Sequence, residues 1–139
     1  MKEHIVASLT LLILDLLWLK LYMGGRYSKM IPSIQGSPMV TKGLPAVLAY
    51  VSLVVGLCVF VLPAAKREGY TWRSCLKYGG LFGLVVYGVY DCTCGAVFSK
   101  WDMALALQDV LWGGFLFTIA SYTAGWASRP RGSNLKYFT

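Results

Sequence analysis

Long apolar runs interrupted by a few polar positions set the pattern of this chain. Four stretches stand out: Ile5 to Tyr22, Leu44 to Ala64, Cys75 to Phe98 and Met103 to Trp126. Each approaches or exceeds the about 20 mostly apolar residues that a helix needs to cross a hydrocarbon layer. The expected fold is therefore all-α, an integral membrane four-helix bundle over residues 1–127, followed by a flexible basic tail over 128–139. Between the first two helices, Met23 to Gly43 is rich in Gly, Pro, Ser and basic residues and reads as a long loop, either lying over the mouth of the bundle or serving as a plain surface connection.

Lys2 ahead of an apolar run resembles the start of a secretory leader. Asp15 breaks that run, however, and Tyr22-Met23-Gly24-Gly25-Arg26 has no small-x-small cleavage pattern, so a retained helix is expected. Composition agrees with a membrane protein of one domain: of 139 residues 57% are hydrophobic and 14% charged, where a soluble domain carries about a quarter charged residues. The lipid bilayer is the first expected partner.

Charge then supplies an orientation. Lys2, Lys66, Arg67, Arg73, Lys77, Arg129, Arg131 and Lys136 fall on the side of the termini, whereas Lys20, Arg26, Lys29, Lys42 and Lys100 fall on the other. Eight against five favours both termini on the cytoplasmic side. The net charge of +7 is thus largely a topology signal, with some attraction for anionic head groups. No basic cluster with interleaved exposed aromatics points to nucleic acid.

Small residues predict where helices meet. Gly79 and Gly83 stand four apart in the third run, the spacing that lets two helix backbones approach, and Gly113 with Gly114 gives the fourth run a matching thin spot. Such a face serves equally within a protomer or in a homo-oligomer or larger membrane complex. Trp72, Trp101 and Trp126 lie near helix ends, where an indole suits the membrane interface. Cys58, Cys75, Cys92 and Cys94 form no metal-ligand pattern, since residues two apart on a helix point to different sides. They read as apolar thiols, and His4, the single histidine, as a solvated residue. No metal and no cofactor is expected.

The strongest chemical signal is the placement of acids. Three of the six, Asp15, Asp91 and Asp109, lie inside the apolar runs. Such a position costs about 2.5 to 3.5 kcal/mol on the translocon insertion scale and marks a functional candidate. Counted from the end of the bundle opposite the termini, each lies about seven or eight residues in, roughly 10 to 12 Å deep. The first and fourth runs share a repeat, Asp15-Leu16-Leu17-Trp18 and Asp109-Val110-Leu111-Trp112, which sets an indole on the helix face of its carboxylate. Tyr87, one turn before Asp91, adds a phenol, and Thr93, Gln108 and Thr10 add polar groups at comparable height.

Two readings follow. In one, the aspartates are glue, hydrogen-bonded to Trp and Tyr donors or ion-paired with Lys20, and hold helices in register within a scaffold subunit. In the other, Asp15, Asp91 and Asp109 with Trp18, Trp112, Tyr87 and Thr93 bind or translocate a proton, a cation or a small polar ligand. Enzymatic motifs are lacking: there is no triad, phosphate loop, zinc pattern or dinucleotide fingerprint. An aspartyl chemistry is the remaining enzymatic alternative, and its Gly-x-Gly-Asp hallmark is incomplete, since Leu107-Gln108 precedes Asp109.

Leu14-Asp15-Leu16-Leu17-Trp18-Leu19, Val59 to Ala64, Tyr90-Asp91-Cys92-Thr93 and Asp109-Val110-Leu111-Trp112-Gly113 resemble an uncharacterised family of predicted four-helix membrane proteins, the domain of unknown function numbered 2177. The resemblance runs from about Ile5 to Tyr122. It implies fold and topology but no reaction, and it matches Asp15, Trp18, Asp91, Thr93, Asp109 and Trp112 to the family's motif positions. Its pattern has Leu at Cys92 and Asn at Cys94, so a polar contribution from that Asn is missing here.

Overall fold

The computed structural model describes residues 1–129, and the expected tail over 128–139 lies almost wholly outside them. Four long helices follow one another: α1 (Lys2–Gln35), α2 (Gly43–Arg67), α3 (Trp72–Val97) and α4 (Met103–Ser128), each long and apolar enough to cross a membrane. No strand occurs among the described residues. The start of α1, the end of α4 and the α2–α3 turn share one end of the bundle, here called the terminal end; the α1–α2 and α3–α4 loops share the other, the loop end.

The first correction concerns α1, which continues through Gln35 where a loop was expected from Met23. Hydropathy falls at Tyr22, yet nothing between Gly24 and Ile31 stops a helix. Pro32 removes one backbone donor, and the helix closes at Gly36, whose φ of 72° suits the left-handed end position. A wide π-type turn at Leu19–Met23 has a packing use. Glu3, Ala7, Leu11 and Asp15 form the buried stripe, and every four-residue step over-rotates an α-helix by about 40°. The wider turn takes back part of this drift and returns Met23, fully buried, to the bundle side.

α4 is the central helix: half of its most apolar window is buried, against 17% for each of the other three. It packs along α1 on one side and α3 on the other. The α3–α4 seam is built on small residues. A Cβ added to Gly83 would stand 2.0 Å from the Gly113 carbonyl oxygen, and one on Gly79 2.6 Å from that of Phe117. The close-packing face thus lies within the protomer, and Gly113 in turn seats the Tyr87 ring.

The terminal half of the bundle is a dry core of Ala7, Leu11, Leu57, Val61, Leu116, Phe117, Ala120 and Ala124. Within it the hydroxyls of Thr118 and Ser121 bond carbonyls of α4 itself, at 2.7 and 2.8 Å, whereas the Tyr70 hydroxyl at its edge finds no partner among the described residues. A tight turn with Gly69 (φ 72°) and Tyr70 (φ 52°) joins α2 to α3, and Glu3 meets Lys66 at 2.7 Å beside the chain start. Outside, the belt is apolar: Ile13, Leu17, Val51, Val55, Phe60, Leu81, Val85, Leu107, Leu111 and Phe115 are all exposed. The three buried aspartates all lie in the interior of the loop half.

Candidate functional site

Asp15, Asp91 and Asp109 are 5%, 1% and 6% exposed, so all three carboxyls are withdrawn from the surroundings. Their partners differ, and the differences separate their roles. Trp18 Nε1 of α1 donates to Asp109 Oδ1 of α4 at 2.9 Å, while Trp112 Nε1 of α4 donates to Asp15 Oδ1 of α1 at 3.2 Å. The two indoles stack between these bonds, centroids 4.6 Å apart and planes within 7°. Each D-x-x-W repeat therefore serves the opposite helix. The i,i+3 spacing does put Asp and Trp on one face, but in antiparallel helices the Trp of one is level with the Asp of the other.

This crossing also splits the expected single layer. Asp109 stands at the height of Trp18, and Asp15 one turn deeper, about 4.5 Å, at the height of Trp112. Asp15 Oδ1 additionally accepts from Tyr87 Oη at 2.9 Å, and Tyr50 of α2 lies beside the same carboxyl. Asp109 Oδ2 takes a long bond of 3.4 Å from Tyr27 Oη of α1. Tyr22 donates to Gln108 just outside.

Asp91 is different. It faces Asp109 across the α3–α4 seam, and the Trp101 indole lies beside it, yet neither of its oxygens nor Trp101 Nε1 makes a hydrogen bond among the described residues. Tyr27, Tyr90 and Phe98 ring Trp101 at centroid distances of 6.1, 6.0 and 6.3 Å. The result is an aromatic cover over a buried carboxyl. Trp101, expected to be a plain interfacial indole, is 7% exposed and part of the site.

Counter-charge is missing throughout. The ion pairs among the described residues are Glu3 with Lys66 and His4, and Glu68 with Lys77, all at the terminal end. Lys20, the expected ion-pair partner, is exposed and unpaired with any aspartate. No three His, Cys, Asp or Glu side chains among the described residues are grouped to hold a metal ion. Thr93 is exposed on α3 and stays outside the constellation. The remaining sequence candidates, Asp15, Trp18, Tyr87, Asp91, Asp109 and Trp112, are brought together.

Tyr27, Tyr50 and Trp101 escaped the sequence reading. Tyr50 had a usable signal: it lies seven residues into α2 from Gly43, the depth at which the aspartates were counted. Tyr27 continues the four-residue series through Asp15 and Met23 but fell in the supposed loop. Trp101 sits between helices, where periodicity carries no information. Above the site, at the loop end, a cleft of about 450 Å³ is lined by Arg26, Lys29, Lys100, Asp102 and Gln108.

A bundle with an apolar outer belt and its carboxyls turned inward is an integral, multi-pass membrane protein, since water would demand the reverse distribution. The chain belongs to DUF2177, a family described as a predicted membrane protein, whose model matches residues 1–126. No curated protein and no solved structure matches it.

Proposed function

We propose that Asp91 and Asp109 form an intramembrane proton-binding site, and that Asp15 with the two crossed indoles is the clasp that holds it. The observation that carries this reading is Asp91: 1% exposed, without a donor, without a counter-cation and facing a second carboxyl. An unpaired carboxylate in apolar surroundings is neutralised rather than tolerated. Two adjacent carboxyls do this most simply by sharing protons, and the pair titrates as a unit.

A proton is preferred over a metal cation because the cleft above the site is lined by Arg26, Lys29 and Lys100. Their charge repels an arriving cation, whereas a proton can pass along water and hydroxyl groups. Tyr27 and Asp109 offer the hydroxyl and carboxyl of such a relay. The termini lie on the cytoplasmic side in this reading, so the cleft opens outward. The role is binding or transfer of protons without covalent chemistry.

The test is infrared difference spectroscopy of the reconstituted protein as the pH is stepped, together with proton flux in proteoliposomes. A protonated-carboxyl band that titrates in the parent should vanish in Asp91→Asn and persist in Asp15→Asn. A band unchanged by Asp91→Asn, or no titrating carboxyl in the parent, overturns the proposal. The crossed bonds Trp18–Asp109 and Trp112–Asp15 favour a second reading, a purely structural scaffold. That reading gains if flux is absent while Trp18→Phe impairs assembly.

A further inference from the structure

The loop end has an unusual charge balance. Lys20, Arg26, Lys29, Lys42 and Lys100 lie there with Asp102 as the only acid in the exposed part. Asp102 is already engaged: its Oδ1 caps α4 by accepting from the backbone N–H groups of Ala104 and Leu105, at 2.9 and 3.1 Å. None of the five cations forms an ion pair among the described residues. A basic surface with its sole acid so occupied attracts anions.

Geometry gathers part of that charge into a concave place. Arg26, Lys29 and Lys100 line the 450 Å³ cleft between the outer part of α1 and the start of α4. A neighbouring cleft of about 500 Å³, sharing Arg26 and Lys29, adds Lys20. Arg26 is held in place by stacking over the Tyr22 ring, 3.7 Å to its centroid, and by donating to the Tyr22 carbonyl at 3.0 Å. Lys100 donates to the Ser33 carbonyl at 3.0 Å, which fastens the α3–α4 loop to α1. Lys29 makes no hydrogen bond among the described residues. Gln108, whose carbonyl oxygen accepts from Tyr22, keeps its amide N–H groups as donors.

We propose that this cleft binds a phosphate group. The donor set of a guanidinium, two ammonium groups and a side-chain amide suits tetrahedral oxyanions. It lies where α4 enters its apolar span, the level of lipid head groups. The phosphate is supplied by an anionic phospholipid, such as phosphatidylglycerol, or by free phosphate. The assignment is independent of proton binding at Asp91.

The experiment measures the thermal unfolding midpoint of the full chain in phosphatidylcholine nanodiscs. One arm adds phosphatidylglycerol to the bilayer; the other adds inorganic phosphate against chloride at equal ionic strength. A midpoint that rises with ligand follows from binding to the folded state alone. A rise with the lipid only assigns a head group, and a rise with phosphate assigns the soluble ion. In the Lys29→Gln/Lys100→Gln variant most of the rise should be lost, while Arg67→Gln/Arg73→Gln at the terminal end should retain it. Lys29→Gln alone, which touches no structural bond, provides the same test should the double variant fold poorly. No rise in the parent in either arm, or an equal rise in the Lys29 variants, overturns the proposal.

Discussion

Replacing Gly83 by Ala adds one methyl at the closest approach of α3 and α4. Its Cβ would stand 2.0 Å from Gly113 O, 2.5 Å from Gly113 C and 2.9 Å from Gly114 N, all backbone atoms that cannot rotate away. Ordinary contact begins near 3.4 Å, so the helices must part locally by about 1.4 Å (3.4 − 2.0). Overpacking of this kind costs about 1–3 kcal/mol, and with backbone on both sides the upper end applies. Ala gains about 1 kcal/mol of helix propensity over Gly, which leaves a net loss of about 2 kcal/mol. The damage also spreads: Tyr87, one turn along α3, donates to Asp15 at 2.9 Å, and parting α3 from α4 strains that bond. Gly88→Ala is the control, because only Val110 Cγ1 lies near, at 3.9 Å, and propensity should win there. Unfolding in mixed micelles, followed by Trp fluorescence, should therefore move in opposite directions for the two variants. A Gly83→Ala protein as stable as the parent, or a Gly88→Ala protein destabilised to the same degree, refutes the reasoning.

Trp18→Phe and Trp112→Phe each remove one indole donor from a buried carboxyl and should cost about 1 kcal/mol in the same assay. Because the rings stack on one another, the double variant should deviate from the sum of the singles, and strict additivity would reject the coupled clasp. Cysteine labels introduced at Lys2 and at Lys42 should react from opposite faces of oriented vesicles, with Lys2 cytoplasmic; labelling of both from one side contradicts the orientation. Glu68 accepts from Tyr78 at 2.6 Å and Lys77 at 3.2 Å, first the phenol and then the ammonium holding its carboxyl below the usual glutamate range. Its contribution is present above the ordinary glutamate pKa and lost as pH falls through the lowered value. Glu68→Gln should thus flatten the acid limb of the stability profile, and an unchanged limb would show that the contact is inert.

Hydropathy made the four helices, the inward acids and the small-residue seam legible, because each follows from which side chains lipid accepts. Partnership was less legible. The D-x-x-W repeats marked two helices, but a repeat on one helix says nothing about which neighbour it meets, and the crossed pairing needs the antiparallel arrangement of α1 and α4. The outer third of α1 was hidden because an apolar run ends before the helix does. Of the two residues that frame Asp91, Tyr27 keeps the four-residue register of α1 but lies in that hidden stretch, and Trp101 lies in a loop, where neither depth nor period can place it.

The crossed clasp joins α1 to α4, the earliest and the latest of these four helices to be made. Asp15 has its donors on Tyr87 and Trp112, 72 and 97 residues further along the chain, and Trp18 finds its acceptor 91 residues on. During synthesis α1 thus enters the bilayer with a carboxyl costing about 2.5 to 3.5 kcal/mol and with none of these partners yet in existence. Until α3 and α4 emerge, the apolar residues of α1 must carry that cost alone, so α1 rests in the bilayer less favourably than it does once its partners have arrived.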